Sequence, residues 1–413
     1  MRILHVNKFL YRRGGAEAYM EDLADLQVAA GHRVAFFGMA HPENTHLEYA
    51  RFFPAQVEME PPPPDLGGRL RGVGRMLYST SASRGMEGVL ADFRPDVVHL
   101  HNIYHQLSPS VLRPVARRRL AAVMTLHDYK LACPSYQFLD HGRICEACLG
   151  GHFQHAVLRR CKDGSLGASA ALAGELFLHT VTRAYDPVRV FVCPSRFLAG
   201  KMRQAGVYPS RLRHVPHFID TEGMAVKSMP GGPALVAGRL SPEKGVDVAI
   251  RAIALVPEGR LEVAGTGPEE ERLRRLAEAI APGRVRFHGL LGKKDVHELM
   301  LAASVVVLPS RWYENQPMVV LEALARGVPV VGSDLGGLPE LVDPGVTGAL
   351  VPGGAPEALA EALRPFLADP GHGWAMRDRA IARVRSDFSP QRHLESLDGL
   401  YAQARPPRAR AAA

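Results

Sequence analysis

Short apolar segments that read as buried strands alternate with helical segments along almost the whole chain. In the first half the predicted strands cover 2–8, 33–39, 96–101, 121–127 and 188–193. The pattern then restarts, with strands predicted at 233–239, 259–265, 285–289, 304–310 and 328–333. This alternation is typical of parallel sheets whose strands are joined by helices. The sequence therefore predicts an α/β fold of two doubly wound units joined near 217–225, with a cleft between them as the default ligand site.

A length of 413 residues suits two or three domains with a large core in each. We expect an N-terminal domain over 1–218, which carries a Pro-rich break at 61–64 and a Cys-rich insert at 130–165, and a C-terminal domain over 219–387. The amphipathic segment 388–404 is expected to form a closing helix that packs back on the N-terminal domain. The tail 405–413 reads RPPRARAAA and is expected to be disordered.

The net charge of +8 belongs to the first half of the chain. Residues 1–220 carry 27 Lys and Arg against 19 Asp and Glu, whereas residues 221–413 carry 23 of each. A basic half suits a polyanion or an anionic lipid surface, although a solvated basic face would look the same. No segment shows the pattern of a membrane-spanning helix or a signal peptide, so we expect a cytosolic protein.

The segment ENQPMVVLEALARGVPVVGSDLGGLPE, residues 314–340, carries two acidic residues, one before and one inside a predicted helix. Glu314 and Glu322 are separated by up to about 12 Å along a helix, which is too far for a paired acid and base. The two carboxylates could instead bind the two ends of one elongated ligand. The residues between them, at the start of the helix, offer backbone N–H groups that attract negative charge: Asn315, Gln316, Pro317 and Met318.

Two cations occupy the loop GRLSPEKG, residues 238–245, between a predicted strand and the next helix. Arg239 can bind a phosphate through two parallel hydrogen bonds, and Lys244 can contribute a point charge. Together they would suit a diphosphate. Solvated charges at the start of a helix remain an equally simple interpretation of this loop alone.

The N-terminal domain offers polar residues at the ends of its predicted strands. Gly14 and Gly15 form a turn between the first strand and the first helix, where backbone N–H groups make an anion site. The alternative is that the two glycines serve only to form the turn. The strands DVVHLHN and TLHDYK deliver four side chains to the same sheet edge, so we expect them in the cleft: His101, Asn102, His127 and Asp128.

Taken together, these motifs resemble the retaining glycosyltransferases of family 4, also called group 1, which have the two-lobed GT-B fold. The resemblance rests on GGAE, the strand-end HD, GRLSPEKG, AGTGPEE at 264–270, and the two glutamates followed by GVPVV and GGLPE, in this order over nearly the whole chain. It implies that the C-terminal lobe binds a nucleotide diphosphate sugar and that the N-terminal lobe receives the acceptor.

The resemblance also implies roles for individual residues. Arg239 and Lys244 would bind the diphosphate, and Glu322 the ribose hydroxyls. Glu314 and the N–H groups after it would bind hydroxyls of the donor hexose, with His127 near the anomeric carbon. The acceptor or phosphate side would be formed by Gly14, Gly15, His101, Asn102 and Asp128. The base of the nucleotide would lie near His288 to Leu290.

The implied activity is transfer of a sugar to a lipid-linked, polysaccharide or other glycan acceptor, with retention of anomeric configuration and without a cofactor. The protein would be cytoplasmic, with the basic lobe at an anionic membrane surface and nucleic acid not among its partners. Two alternatives remain: the same fold acting on a soluble small-molecule acceptor, and a non-catalytic anion-binding relative.

Four of the five cysteines lie in the insert with the spacing C-x11-C-x2-C-x12-C: Cys133, Cys145, Cys148 and Cys161. A clustered quartet that contains C-x2-C favours a structural four-thiolate zinc site, but reduced thiols and two disulfides stay open. His141, His152 and His155 could replace a thiolate as ligands. Cys193 lies in an apolar strand, which indicates a small core residue.

Overall fold

The computed structural model describes residues 1–57 and 65–405, which form two six-stranded parallel sheets flanked by helices. This confirms the predicted pair of doubly wound units. The Pro-rich break predicted at 61–64 and all but the first residue of the predicted tail lie outside the described residues.

The first sheet has the strand order β2-β1-β3-β4-β7-β8, and every neighbouring pair is parallel. The strands of this lobe are β1 Arg2–Val6, β2 Arg33–Phe37, β3 Val97–Leu100, β4 Ala121–Thr125, a small antiparallel hairpin β5 Leu139–Asp140 with β6 Arg143–Ile144, β7 Val190–Cys193 and β8 Leu212–His214. Its helices are α1 Gly15–Ala29, α2 Leu66–Leu77, α3 Thr80–Phe93, α4 Leu112–Arg117, α5 Gln154–Leu158, α6 Leu166–Val181 and α7 Arg196–Gln204. We call this the N lobe.

The second sheet, in what we call the C lobe, has the order β11-β10-β9-β12-β13-β14, again all parallel. Its strands are β9 Ala234–Ala237, β10 Leu261–Ala264, β11 Val285–Gly289, β12 Val305–Leu308, β13 Val330–Ser333 and β14 Gly348–Val351. In chain order after β9, the helices are α8 Val246–Leu255, α9 Glu270–Ile280, α10 Lys293–Ala302, α11 Met318–Ala325, α12 Pro356–Ala368, α13 Pro370–Trp374, α14 Arg377–Asp387 and α15 Pro390–Ala404.

The last helix, α15, lies against the N lobe although it follows the C lobe in sequence. The Ser389 hydroxyl accepts a hydrogen bond from the Arg392 N–H and caps the helix. Leu397, Leu400 and Tyr401 are buried together with apolar residues of β1, β3 and β4. The C-terminal helix therefore completes the core on one face of the first sheet.

Candidate active site

The centre of the C-lobe site is an ion pair between the half-buried Lys244 and the buried Glu314. Their Nζ and Oε1 atoms are 2.8 Å apart, and the Ser310 hydroxyl donates to the same oxygen at 2.6 Å. Burial alone would raise the pKa of Glu314, but the Lys244 ammonium and these hydrogen bonds outweigh it and lower the pKa below its ordinary value. Glu314 is therefore a carboxylate at neutral pH, and its charge is compensated by Lys244.

Glycines bring the two loops that carry this pair close together. Gly245 has a φ of +64°, and a Cβ built on it would lie 2.1 Å from the carbonyl oxygen of Pro309. Gly336, with a φ of +67°, leaves only 2.2 Å between such a Cβ and the carbonyl oxygen of Glu314. A larger residue at either place would separate the loops, so the sequence motifs SPEKG and GGLPE position the ion pair through backbone packing.

Arg239 lies at the rim of the same loop and is mostly exposed. Its guanidinium donates to Glu243 at 2.7 Å, and the Ser241 hydroxyl donates to the same Glu243 oxygen at 2.6 Å. The loop 238–245 thus presents an accessible cation near its start and a half-buried one at its end.

Asn315 and Gln316 connect the C lobe to the N lobe through their side chains. The Asn315 amide donates to the Leu126 carbonyl at 3.1 Å and accepts from the Ser195 hydroxyl at 2.9 Å. Gln316 accepts from the His217 N–H at 2.6 Å and donates to the His217 carbonyl at 3.2 Å. These two predicted donor-binding residues therefore fix the loop after Glu314 relative to the opposite lobe.

On the N-lobe side, Gly14 caps α1 in an extended conformation and Gly15 begins the helix. Neither backbone requires glycine, because the φ of Gly14 is −164° and no atom lies within 4 Å of a Cβ built on Gly15. Asp128 accepts hydrogen bonds from the Tyr104 hydroxyl and from the Lys130 N–H, and burial raises its pKa. The Tyr104 hydroxyl oxygen also lies 2.7 Å from Oδ1 of Asn102, which brings two of the predicted acceptor-side residues together.

His101 and His127 are directly hydrogen-bonded, with 3.0 Å between Nδ1 of His101 and Nε2 of His127. His101 is fully buried and His127 is partly exposed. Burial lowers the pKa of His127 to about 3. The ring is therefore neutral at physiological pH and can act as a hydrogen-bonding group.

Two of the cavities between the described parts of the lobes contain charged residues that were predicted for the site. The larger, of about 430 Å³, is lined by Gly14 and Asp128 of the N lobe and Arg239 of the C lobe. The other, of about 390 Å³, lies between α1 and the C lobe and contains Glu322 and Met318. Burial raises the pKa of Glu322, while Lys293 and Arg326 act in the opposite direction. Of the predicted residues, Gly14, Asp128 and Arg239 thus line the larger cavity, and Met318 and Glu322 line the other; Leu290 is exposed.

The Cys-rich insert touches the loop that carries Glu314. Glu146, between Cys145 and Cys148, accepts a hydrogen bond from the Tyr313 hydroxyl at 2.7 Å and pairs with Lys201 at 2.6 Å. Tyr313 also packs against Phe197. Neither Glu146 nor Tyr313 stood out in the sequence, because their contact joins segments that are 167 residues apart.

The five cysteines of the chain have no disulfide. Burial raises the pKa of Cys148 to about 12, and Cys148 and Cys161 pack in the same apolar cluster of the insert. Within residues 1–57 and 65–405, no three of these sulfurs come within 4.8 Å of one another. The zinc site stays a prediction.

Comparison with known proteins gives two family matches that together cover most of the chain. A model described as Glycosyltransferase Family 4 matches residues 13–223, and one described as Glycosyl transferases group 1 matches residues 232–387. Among solved structures, sucrose-phosphate synthase from Thermosynechococcus elongatus has a TM-score of 0.71 at 20% identity and covers 97% of this chain and 98% of its own. Anabaena Alr3699/HepE in complex with UDP has a TM-score of 0.68 at 19% identity and covers 98% and 100%. These two likenesses show the shared fold.

Curated relatives match over part of their length. D-inositol 3-phosphate glycosyltransferase of Streptomyces avermitilis is 38% identical over 168 residues, which are 37% of this chain and 36% of that protein. A GDP-mannose-dependent monoacylated alpha-(1-6)-phosphatidylinositol monomannoside mannosyltransferase of Corynebacterium glutamicum is 37% identical over 161 residues, 37% of this chain and 42% of its own. The chain thus matches about two fifths of the length of these relatives.

The Lys244–Glu314 pair predicts a pH-dependent stability difference. In Lys244→Met the Glu314 carboxylate stays buried without its cation, so its pKa rises above the value in the unfolded chain. The folded variant then favours the protonated form and loses stability as the pH rises. Relative to wild type, the free energy of unfolding should fall by about 3 kcal/mol at pH 7 and much less at about pH 4. Denaturant unfolding at both pH values measures this.

The double variant Lys244→Met/Glu314→Gln is the control, because it removes the buried charge along with its partner. It should recover part of the loss at pH 7. A loss in Lys244→Met that is equal at both pH values would show that Glu314 is not held ionised by Lys244.

The zinc prediction is tested by metal analysis of protein purified without chelator. A four-thiolate site should give about one equivalent of zinc per chain. Cys145→Ser with Cys148→Ser should lose the metal, whereas Cys193→Ser, which alters a buried cysteine in β7, should keep it. Less than about half an equivalent in wild type would exclude the site.

Proposed function

Since the chain belongs to glycosyltransferase family 4, we propose that this glycosyltransferase moves a sugar from a nucleoside diphosphate sugar to a lipid-linked, polysaccharide or other glycan acceptor, with retention of configuration. The observation that carries the proposal is the Lys244–Glu314 pair, because Lys244 lies on the same loop as Arg239, which lines the larger cavity between the lobes. A diphosphate needs cations, and the hydroxyl groups of a sugar need acceptors such as Glu314.

The leaving group determines what the site must supply. As the bond between the anomeric carbon and the diphosphate breaks, negative charge grows on the phosphate oxygen, and Lys244 and Arg239 would neutralise it. Lys244 would then share its ammonium between Glu314 and the phosphate. Helix α11 begins at Met318, so the preceding backbone adds positive potential on the same side.

Retention by front-side attack fits the carboxylates of the site. Glu314 is bound by Lys244, and Asp128 is bound by Tyr104 and has a raised pKa, so neither is suited to be a nucleophile. The acceptor hydroxyl would therefore attack the anomeric carbon on the face from which the diphosphate departs. The new carbon–oxygen bond replaces the old one, and the acceptor proton passes to the leaving phosphate oxygen.

The larger cavity suits a glycan acceptor that carries an anionic group. The partly exposed ring of Tyr11 lines it and provides an aromatic face for a sugar ring. Lys8 lies 5.1 Å from the Tyr104 ring, and Arg13 lies 4.4 Å from the Phe9 ring. Relatives named for an inositol phosphate and a phosphatidylinositol mannoside acceptor agree with this chemistry.

Helix α6 supports a place for the enzyme on a membrane surface. Apart from Thr180, its exposed positions are apolar or glycine: Leu166, Gly167, Ala170, Gly174, Phe177, Leu178 and Val181. Its one charged residue, Glu175, is buried against Lys130. Exposed Leu70 lies on α2, which packs beside α6. A contiguous apolar face of this kind indicates an interaction site, and the basic charge of this half favours anionic lipid. No helix among the described residues is long and apolar enough to cross a bilayer.

Donor turnover tests the function. With a panel that includes UDP-glucose and GDP-mannose, wild type should release the nucleoside diphosphate from one donor, and both Lys244→Met and Glu314→Gln should lower this rate by about 100-fold or more. Arg274→Ala, which breaks an exposed ion pair on α9, should not change it. An acceptor product of opposite anomeric configuration, seen by NMR, would contradict retention. Equal rates in all variants would exclude Lys244 and Glu314 from the active site.

Vesicle binding tests the membrane face. Phe177→Ser with Val181→Ser removes two exposed apolar side chains of α6 and should weaken binding to vesicles of anionic phospholipid by about tenfold or more. Val28→Ser is the matched control, because Val28 is equally exposed but lies on α1. Binding of wild type that is independent of anionic lipid content and of salt, or is unchanged in the double variant, would contradict this role.

A further inference from the structure

A line of buried polar side chains leads from the core of the N lobe to His127. We call Gln27, His5, His101 and His127 the histidine chain. Register in the first sheet places His5 of β1 opposite His99 of β3. His101 follows two residues after His99, and His127 two residues after the end of β4, so the side chains share one face of the sheet. The face is covered by α1, which supplies Gln27, and by α15.

Each neighbouring pair in the histidine chain is hydrogen-bonded. Nε2 of His5 lies 2.8 Å from Oε1 of Gln27, Nδ1 of His5 lies 3.0 Å from Nε2 of His101, and Nδ1 of His101 lies 3.0 Å from Nε2 of His127. Gln27, His5 and His101 have no exposed surface. The rings therefore cannot exchange these partners for water.

The Gln27 amide sets the direction of the hydrogen bonds. Its nitrogen donates to the Tyr401 hydroxyl at 2.9 Å, so its oxygen faces His5 and can only accept. His5 must then carry its proton on Nε2 and accept at Nδ1. His101 then donates from its Nε2 to Nδ1 of His5 and accepts at its own Nδ1. His127 donates from its Nε2 to Nδ1 of His101.

Neutral rings are required for this arrangement, and burial provides them. Desolvation lowers the pKa of His5 to about 4, lowers that of His101 well below its ordinary value, and lowers that of His127 to about 3. Each ring therefore has one proton and one lone pair. Because the chain ends at a carboxamide inside the core, it is suited to orienting His127, not to conducting protons.

A metal ion is a poorer interpretation of the same residues. Ligand atoms of His5, His99 and His101 lie within 4.8 Å of one another. However, His5 and His101 are hydrogen-bonded to each other, and the two nitrogens of His99 contact the Tyr401 and Thr125 hydroxyls at 2.7 and 2.8 Å. The ring nitrogens are thus already engaged.

We propose that Gln27, His5 and His101 are positioning residues that present His127 to the cleft as the Nε2–H tautomer, with an unprotonated Nδ1 that accepts a hydrogen bond from a hydroxyl of the donor sugar. No described residue donates to this Nδ1. The identity of the bound group rests on the proposed function, whereas the tautomer depends only on the histidine chain.

Nitrogen-15 NMR of histidine-labelled protein tests the tautomer without an activity assay, and His127→Asn assigns the ring. In wild type, His127 should show a protonated Nε2 and an unprotonated Nδ1. Gln27→Leu removes the acceptor that sets the direction, so the His127 signals should move toward a mixture of tautomers.

His179→Leu is the matched control. His179 is also a buried histidine of the N lobe, but its Nε2 contacts the Leu77 carbonyl at 3.1 Å, away from the histidine chain and from Tyr401. This variant should lose a comparable amount of stability and leave the His127 signals unchanged. A wild-type His127 with its proton on Nδ1, or one unaffected by Gln27→Leu, would overturn the proposal, and the first result requires only the wild-type protein.

Donor turnover then separates this proposal from the proposed function. Gln27→Leu should lower kcat at least tenfold, and more than it changes KM for the donor, since a wrong histidine tautomer is known to cost up to about 10⁴-fold in kcat. If the tautomer responds as expected but no variant or wild type turns over a sugar nucleotide, the proposed function fails and the histidine chain stands. If turnover is present and the tautomer does not respond, the proposed function stands and the proposal for the histidine chain fails.

Discussion

The site depends on how the backbone of Glu314 and Asn315 is seated against two glycines. The Gly337 N–H donates to the Glu314 carbonyl at 2.7 Å, and a Cβ on Gly337 would lie 1.9 Å from the Asn315 carbonyl oxygen. From this fixed backbone the Glu314 carboxylate reaches Lys244, and the Asn315 amide reaches the N lobe at Ser195 and Leu126. One close backbone contact therefore sets both the ion pair and the relation between the lobes.

Two carboxylates near the cleft, those of the fully buried Glu175 and the half-buried Glu340, are compensated by specific partners. Glu175 of α6 has no exposed surface and lies 2.8 Å from Lys130 and 3.0 Å from His105. Glu340 of the C lobe accepts from the N–H groups of Arg196 and Phe197 at the start of α7, where a carboxylate is stabilised by the helix dipole. Because an unpaired buried charge is costly, these contacts fix the geometry of the residues around the cleft.

The strands were predictable because buried parallel strands read as continuous apolar runs, such as VVVL in β12. Helix α2 was not predicted, since its four glycines give it a low helix propensity. Strand β14 was also missed, because GALV is short and begins with glycine. Candidate site residues came from polar side chains that follow strands, and this rule cannot identify Glu146 or Tyr313, whose contact joins an insert to the opposite lobe.

By itself, the sequence determined the two sheets and which charged and polar residues follow their strands, because both depend on neighbouring residues. Lys244 and Glu314 could be predicted as site residues from the sequence. Only the tertiary structure decided that they form an ion pair, because they are 70 residues apart in the chain. The same holds for Gln27 and Tyr401, which meet across 374 residues and set the direction of the histidine chain. Such pairs follow from strand register and from the return of α15 to the N lobe, and neither leaves a local pattern in the sequence.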